Sequence, residues 1–228
     1  VNFYGEDYTD FEVAAIFEKG LRVEAISVLE INKYKSAVLF ELALMNKAKS
    51  WTQQFHVGAI RNNNVKMLNS IGPDQGYDSI GDLNMADNMS KFFGKLSECD
   101  GLANTIVYNL NPRDSEMFAS MANNFNDGIV AGKMQYGAAW WFLDQKDGME
   151  KQLNVLSNFG LLSKFVGMVT DSRSFLSFPR HEYFRRILCN VLGDEIQRGE
   201  LPNDMNLIGN MVEAICYKNA ETYFKINI

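Results

Sequence analysis

The sequence predicts an α/β protein in which short apolar strands alternate with amphipathic helices. Apolar residues recur every three to four positions over several long stretches, and four short apolar or β-branched runs separate these stretches. A chain of 228 residues with 46% apolar residues can also bury a sizeable core without a disulfide or a metal. Near-continuous apolar strands separated by helices indicate parallel βα units, arranged either as an open doubly wound sheet or as a (β/α)8 barrel.

The elements follow in chain order. Residues 10–50 have helical periodicity with a break at Gly20, which predicts two or three helices. The predicted strands are residues 54–60, 105–110, 129–136 and 165–170. The helices predicted between and after them are residues 85–96, 116–125, 149–159, 183–196 and 206–224. We therefore predict a helical segment over residues 1–50 and a strand–helix region over residues 51–228.

Composition excludes several classes of protein. The net charge of −6 argues against non-specific nucleic-acid binding, which needs an excess of Lys and Arg. The cysteines Cys99, Cys189 and Cys216 are far apart, which predicts buried thiols in a reducing compartment. No apolar run is long enough to span a bilayer, and the acidic first ten residues do not resemble a signal peptide. We expect a cytoplasmic protein with no membrane partner, and a first residue other than Met suggests a fragment.

Polar side chains follow each predicted strand. Residues 61–64 follow the first strand, residues 111–114 the second, Trp140-Trp141 the third and Asp171-Ser172-Arg173 the fourth. Active sites of (β/α)8 barrels lie at the carboxyl ends of the strands, so this distribution favours a barrel. Only four strands are predicted, however, whereas a closed barrel has eight.

Asp171 is the strongest candidate site residue, because it ends a predicted strand and Arg173 follows two residues later. It is either a helix N-cap, or a metal ligand or general base. Arg173 could hold an anionic oxygen in bidentate geometry. His56 is either a hydrogen-bonded core residue or an imidazole for ligand binding or proton transfer.

Other candidates are less specific. One of Trp140 and Trp141 is predicted to line a pocket while the other packs in the core. Residues 61–64, Arg-Asn-Asn-Asn, form either a solvated turn or a set of donors for a polyhydroxy substrate. For His181, at a predicted helix start, we favour a structural or capping role.

Several long motifs, in order along residues 51–228, resemble the bacterial uronate (glucuronate) isomerases. They are FHVGAIRNNN (55–64), DSIGD (78–82), LNPRD (110–114), WWFLDQKDGM (140–149), TDSRSFLS (170–177) and RHEYFRRILCN (180–190). Residues before Trp51 resemble the preceding helical region of that family more weakly.

The resemblance implies a barrel of the amidohydrolase superfamily that interconverts D-glucuronate with D-fructuronate and D-galacturonate with D-tagaturonate. This chain would supply the second half of the (β/α)8 barrel, strands 5–8, preceded by helices. Its implied partners are a hexuronate substrate, the missing N-terminal half and further copies in a homo-oligomer. The fragment by itself is expected to be inactive.

The resemblance also implies roles for single residues. Family members can bind a divalent metal, commonly zinc, through a His-x-His pair and an aspartate; Asp171 matches the aspartate, but no His-x-His pair is present, and the need for the metal stays open. His56, Trp140 and Arg173 match substrate-contacting positions, and Asp171 and Arg173 are the predicted catalytic residues. Two alternatives stay open: a metal-dependent hydrolase of the same superfamily, which would not need donors such as Arg61 and Asn62, and a non-catalytic half-barrel module.

Overall fold

The computed structural model describes residues 2–172 and 174–225. Its strands are β1 (Gln53–Val57), β2 (Ala59–Ile60), β3 (Ser79–Ile80), β4 (Thr105–Asn109) and β5 (Met134–Tyr136). Its α-helices are α1 (Asp10–Leu21), α2 (Val28–Ala48), α3 (Val65–Ile71), α4 (Ala86–Glu98), α5 (Ser115–Asn123), α6 (Lys146–Phe159), α7 (Pro179–Gln197), α8 (Met205–Glu213) and α9 (Asn219–Phe224). They form two compact units: residues 2–53 with 83–105, and residues 54–82 with 106–225.

In the first unit, α1 and α2 form a hairpin whose two helices begin in the same way. Each starts with a capping box, in which a Ser or Thr and the Glu three residues later bond each other's backbone N–H groups. Each of these glutamates also pairs with a lysine of the opposite helix: Glu12 with Lys33 at 2.6 Å, and Glu30 with Lys19. The bond from Lys19, with the cap, lowers the pKa of Glu30 to about 2.

The core of the first unit is aromatic. Phe92 and Phe93 on α4 are buried against Phe3, with ring centroids 5.8 and 5.4 Å from that ring. Tilted aromatic pairs at this spacing stabilise a core beyond the area that they bury.

The main sheet has the strand order β1-β4-β5, and all of it except the first residues of β1 and β4 belongs to the second unit. β1 and β4 are parallel, because the Gln53 N–H bonds the Asn104 carbonyl and, further along both strands, the Leu110 N–H bonds the Val57 carbonyl at 3.1 Å. Every residue of β4 is buried. The predicted α/β class is confirmed. A separate antiparallel pair, β2 with β3, follows β1.

The prediction of a strand over residues 165–170 is wrong. Gly167 has φ +80°, and a Cβ there would lie 2.3 Å from the Ile215 carbonyl oxygen, so the backbone leaves strand geometry where another segment approaches it. Side chains bond this segment instead: Gln135 Nε2 donates to the Lys164 carbonyl at 3.0 Å and its Oε1 accepts from the Val166 N–H at 3.3 Å. The Asn219 amide donates to the Phe165 carbonyl at 2.9 Å.

Three smaller corrections concern the second half of the chain and its cysteines. The strand predicted over residues 129–136 is limited to β5, because Gly128 and Gly132 take positive φ in the preceding turn. The last predicted helix is α8 and α9 joined by a π-helical turn, Ala214–Lys218. Cys99 and Cys189 are exposed rather than buried, and Cys216 is half-buried.

The helices of residues 2–172 and 174–225 include none that is both long and apolar enough to cross a membrane.

Candidate functional site

Three aromatic rings meet beside the carboxyl end of the main sheet. The His56 ring on β1 stacks on the Tyr108 ring of β4 with centroids 4.4 Å apart. The Trp140 ring contacts the His56 ring edge-on, with centroids 4.9 Å apart. A Cβ at Gly137 would lie 2.5 Å from ring carbons of Tyr108. Glycine at position 137 therefore lets the backbone before Trp140 approach the Tyr108 ring.

Asp171 is bonded to this cluster although it lies far along the chain. The indole Nε1–H of Trp140 donates to Asp171 Oδ2 at 3.3 Å. Three of the predicted site residues, His56, Trp140 and Asp171, are thus brought together. Arg173, the fourth, lies outside the described residues.

Burial sets the protonation of the cluster. It lowers the pKa of His56 below its ordinary value near 6.5, and the neighbouring Asp171 carboxylate opposes this only in part. His56 is therefore neutral at pH 7. Burial, with Asp171, raises the pKa of Tyr108 far above its ordinary value, so its phenol stays protonated and donates to Gln54 Oε1 at 2.8 Å.

Asp171 and its neighbours open on a cavity of about 990 Å³ with a polar lining. The Arg61 guanidinium lies in this lining, 4.8 Å from the centre of the Trp141 ring. Its Nη1 also lies 3.2 Å from Asp74 and 3.4 Å from Asp78. The lining residues are Arg61, Asp74, Gly76, Asp78, Trp141, Thr170, Asp171 and Ser172.

The cavity thus places three carboxylates, those of Asp74, Asp78 and Asp171, and the Arg61 guanidinium around one polar space. An exposed arginine gains little from its own ion pairs, so Arg61 can exchange an aspartate for an anionic ligand at small cost. Its neighbour Trp141 lines the same space. Among the described lining residues, Arg61 is the cation that an anionic group of a small polar ligand would contact.

A family model described as glucuronate isomerase matches residues 2–224. The chain belongs to the glucuronate isomerase family. It is 60% identical over 222 residues to the uronate isomerase of Flavobacterium johnsoniae, covering 97% of this chain and 48% of that protein. It is 56% identical over 224 residues to the uronate isomerase of Bacteroides thetaiotaomicron, with 98% and 48% covered.

Solved structures of the family have the same fold over this region. The uronate isomerase of Thermotoga maritima superposes with a TM-score of 0.88 at 31% identity, over 98% of this chain and 48% of that one. The glucuronate isomerase of Caulobacter crescentus gives 0.85 at 23% identity, over 100% and 46%, and so supports the fold alone. The chain spans about half the length of the curated relatives it matches.

The polar loop that follows β2, residues 61–64, is mainly a structured turn. Asn62 bonds the Asp74 N–H, Asn63 donates to Ser79, and Asn64 caps α3. Of residues 61–64, only Arg61 is among the residues that line the cavity. The three asparagines therefore form a turn, as one of the two interpretations of residues 61–64 proposed. Arg61 is the residue of this loop to which the other interpretation, a donor to a substrate, still applies.

His181 lines a different cavity of about 200 Å³, together with Phe184 and Cys216. Burial lowers its pKa below the ordinary value, with help from Arg185 and Arg180. This position is compatible with the structural role favoured from the sequence.

The metal implied by the resemblance does not fit the residues of this chain alone. In the part of the chain that the structure describes, no group of three His, Cys, Asp or Glu side chains could hold an ion. One oxygen of Asp171 already accepts the Trp140 N–H.

Sequence reasoning missed Tyr108 and Asp74. Tyr108 belongs to a mainly apolar run, residues 105–110, which predicts burial but gives no sign of its stacking on His56. Asp74 lies between Pro73 and Gln75 in a loop with no periodicity. The positive charge of Arg61, 13 residues earlier, was the only signal for an acidic neighbour.

Proposed function

We propose that this chain forms part of the substrate site of an aldose–ketose isomerase that interconverts D-glucuronate with D-fructuronate and D-galacturonate with D-tagaturonate. The observation behind this proposal is that the Asp171 carboxylate and the Arg61 guanidinium line the same polar cavity. Such an isomerisation moves a proton between adjacent carbons and therefore needs a base. It also needs a cation near the substrate carboxylate or the enediolate.

Each residue has a distinct proposed role. Asp171 is the base, and the Trp140 N–H bond to Oδ2 orients its carboxylate. Arg173 holds the substrate's anionic oxygens through its planar fork, as the sequence predicts. His56, neutral and behind Trp140, contributes hydrogen bonds to hydroxyls rather than a positive charge.

The hydrolase alternative shares Asp171 but has no use for a cation placed for a sugar acid. Arg61 on the cavity lining supports the isomerase hypothesis over the hydrolase hypothesis. Asn62 supports neither hypothesis, because its side chain bonds within its own loop. If a divalent metal such as zinc is bound, Asp171 is its proposed ligand here and the remaining ligands come from outside this chain.

We also propose that the parallel strands β1 and β4, with β5 and the helices between them, belong to the second half of a (β/α)8 barrel. The strand order β1-β4-β5 follows the chain, as it does in such a barrel. The outer edges of β1 and β5 would then meet the other half of the barrel, and failing that a second copy of the chain. The chain alone should be inactive toward D-glucuronate, with or without added zinc or manganese.

The test is reconstitution. The chain is co-expressed with the portion of the Flavobacterium johnsoniae enzyme that it does not match, and formation of keto sugar from D-glucuronate is followed by ¹H NMR. We expect turnover only with both parts, and Asp171→Asn should lower it by at least about 10²-fold because the base is lost.

Asp147→Asn, which changes an exposed aspartate in the first turn of α6, is the matched control and should leave turnover unchanged. Full turnover in Asp171→Asn, or none in the reconstituted pair, would contradict the proposal.

A further inference from the structure

Arg180, the second residue of α7, contacts two loops at once. Its Nη1 donates to the carbonyl oxygen of Thr170 at 3.1 Å, and its Nη2 pairs with the carboxylate of Asp144. Thr170 directly precedes Asp171, and Asp144 directly follows the turn Trp141–Leu143. One guanidinium therefore joins the loop of the proposed base to the loop of the two tryptophans.

The helix itself gives no reason for an arginine at this position. The first turn of an α-helix carries a partial positive charge, so a cation there is unfavourable unless an anion compensates it. The compensating anion is Asp144, whose side chain is 3% exposed, against 33% for Arg180. The pair is thus directed inward, toward the two loops.

Both loops have a backbone that needs external support. Asp171 and Trp141 each have φ +44°, a region that side-chain-bearing residues rarely adopt and that persists only where surrounding contacts fix it. The Asp144 oxygen Oδ1 is buried and has no hydrogen-bond partner among the described residues. Among the described residues, Arg180 is the cation that pairs with this carboxylate and compensates its charge.

From these contacts we infer that Arg180 is a positioning residue, which holds the Asp171 carboxylate against the Trp140 indole. It is absent from the described residues that line the Asp171 cavity, so it acts through the Thr170 backbone and not on a ligand. A planar fork can bond a carbonyl and a carboxylate on two separate loops, whereas a lysine is a single point donor. The importance of this role for catalysis rests on the function proposed above; the positioning itself does not.

The test observes the Trp140–Asp171 bond directly, without substrate. The 228-residue chain is labelled with ¹⁵N-tryptophan, which gives indole N–H signals for Trp51, Trp140 and Trp141, and Trp140→Phe assigns the one of interest. All spectra are recorded at one pH, near 7. The Trp140 signal should differ between the parent chain and Asp171→Asn, because a charged acceptor binds the indole N–H more strongly than a neutral one. For each variant, the shift is this difference between its Trp140 signal with Asp171 and with Asn at position 171.

Arg180→Ala should reduce the shift to less than about half, because hydrogen bonds weaken steeply when misaligned. Asp144→Asn should do the same, the double variant should lose no more than either single one, and Arg180→Lys should be intermediate. The control Arg186→Ala, at an exposed arginine of the same helix paired with Glu182, should retain the full shift. If Arg180→Ala also moves the Trp51 and Trp141 signals, the substitution has changed more of the structure than one contact. The variants Arg180→Lys and Asp144→Asn then test the inference.

A full shift in Arg180→Ala, or in both Arg180→Lys and Asp144→Asn, would refute the inference, and so would a parent chain with no Asp171-dependent shift. In the reconstituted enzyme, Arg180→Ala should lower kcat by about 10-fold to 10²-fold with KM little changed, since a small misplacement of a catalytic group is enough for such a loss. Failure of the isomerase proposal would appear as an absence of turnover in every variant while the NMR result stands.

Discussion

Strand β4 and residues 165–170 have similar apolar sequences, yet the chain holds them in different ways. β4 is buried throughout and pairs with β1 and β5 through its backbone. Residues 165–168 are also buried, but the side chains of Gln135 and Asn219 bond their backbone in place of a neighbouring strand. The segment that leads to Asp171 therefore depends on a few specific side chains, and a substitution there should affect stability more than a comparable one in β4.

Gly167→Ala should have the largest effect, a loss of about 3 kcal/mol in the free energy of unfolding. The added Cβ meets the Ile215 carbonyl oxygen at 2.3 Å, in a backbone conformation that alanine disfavours. Urea denaturation followed by circular dichroism measures the change.

The matched control is Gly193→Ala in α7, where nothing lies within 4 Å of the new Cβ. That variant should gain about 0.5–1 kcal/mol from the better helix propensity of alanine. Equal effects at the two glycines would show that the approach of Ile215 is not a constraint.

Gln135→Ala should cost about 2 kcal/mol, because it leaves the Lys164 carbonyl and the Val166 N–H without this partner. Thr105→Val in β4 removes one buried hydroxyl bond to the Ala103 carbonyl and should cost about 1 kcal/mol or less. Hydrogen exchange gives the sharper comparison: the Val166 amide should lose protection in Gln135→Ala, while β4 amides in Thr105→Val should not. Loss of protection in both would remove the distinction between the two segments.

The smallest expected effect is a pH dependence of stability that arises from His56. Its ring contacts Tyr108 of β4 and also Trp140. Its folded-state pKa is below the ordinary value near 6.5, so the unfolded chain takes up this proton more readily. The contribution of neutral His56 to the free energy of unfolding is complete at pH values above the ordinary pKa. It is lost as the pH falls from the ordinary pKa toward the lower folded-state pKa. Melting curves at decreasing pH should show a smaller fall in Tm for His56→Phe than for the parent chain; His181 titrates in both. An equal fall would assign the dependence to other groups.

Periodicity was enough to predict the longer helices and β4, because burial of an apolar face decides both, but it did not predict the short helix α3. It could not distinguish β4 from residues 165–170, since the difference lies in the approach of Ile215 and in the amide of Gln135, which is 30 residues upstream of Phe165. In the candidate site, His56 was predicted from its place within a strand, and Asp171 from the end of a run, residues 165–170, that does not form a strand. The bond from Trp140, 31 residues before Asp171, depends on a turn with φ +44° at Trp141 that no local pattern indicates.

The two capping boxes of the α1–α2 hairpin have a consequence for the order of folding. Glu12 and Glu30 each fix where a helix begins and also bond a lysine of the other helix, so helix initiation and interhelix register form together. These lysine bonds close loops of only 11 and 21 residues, whereas pairing of β1 with β4 joins residues more than fifty apart. Short loops close at lower entropic cost, so the hairpin should be structured in the folding transition state while the sheet is still forming. On a growing polypeptide the hairpin would therefore form before β4 is synthesised, and so before β1 and β4 can pair.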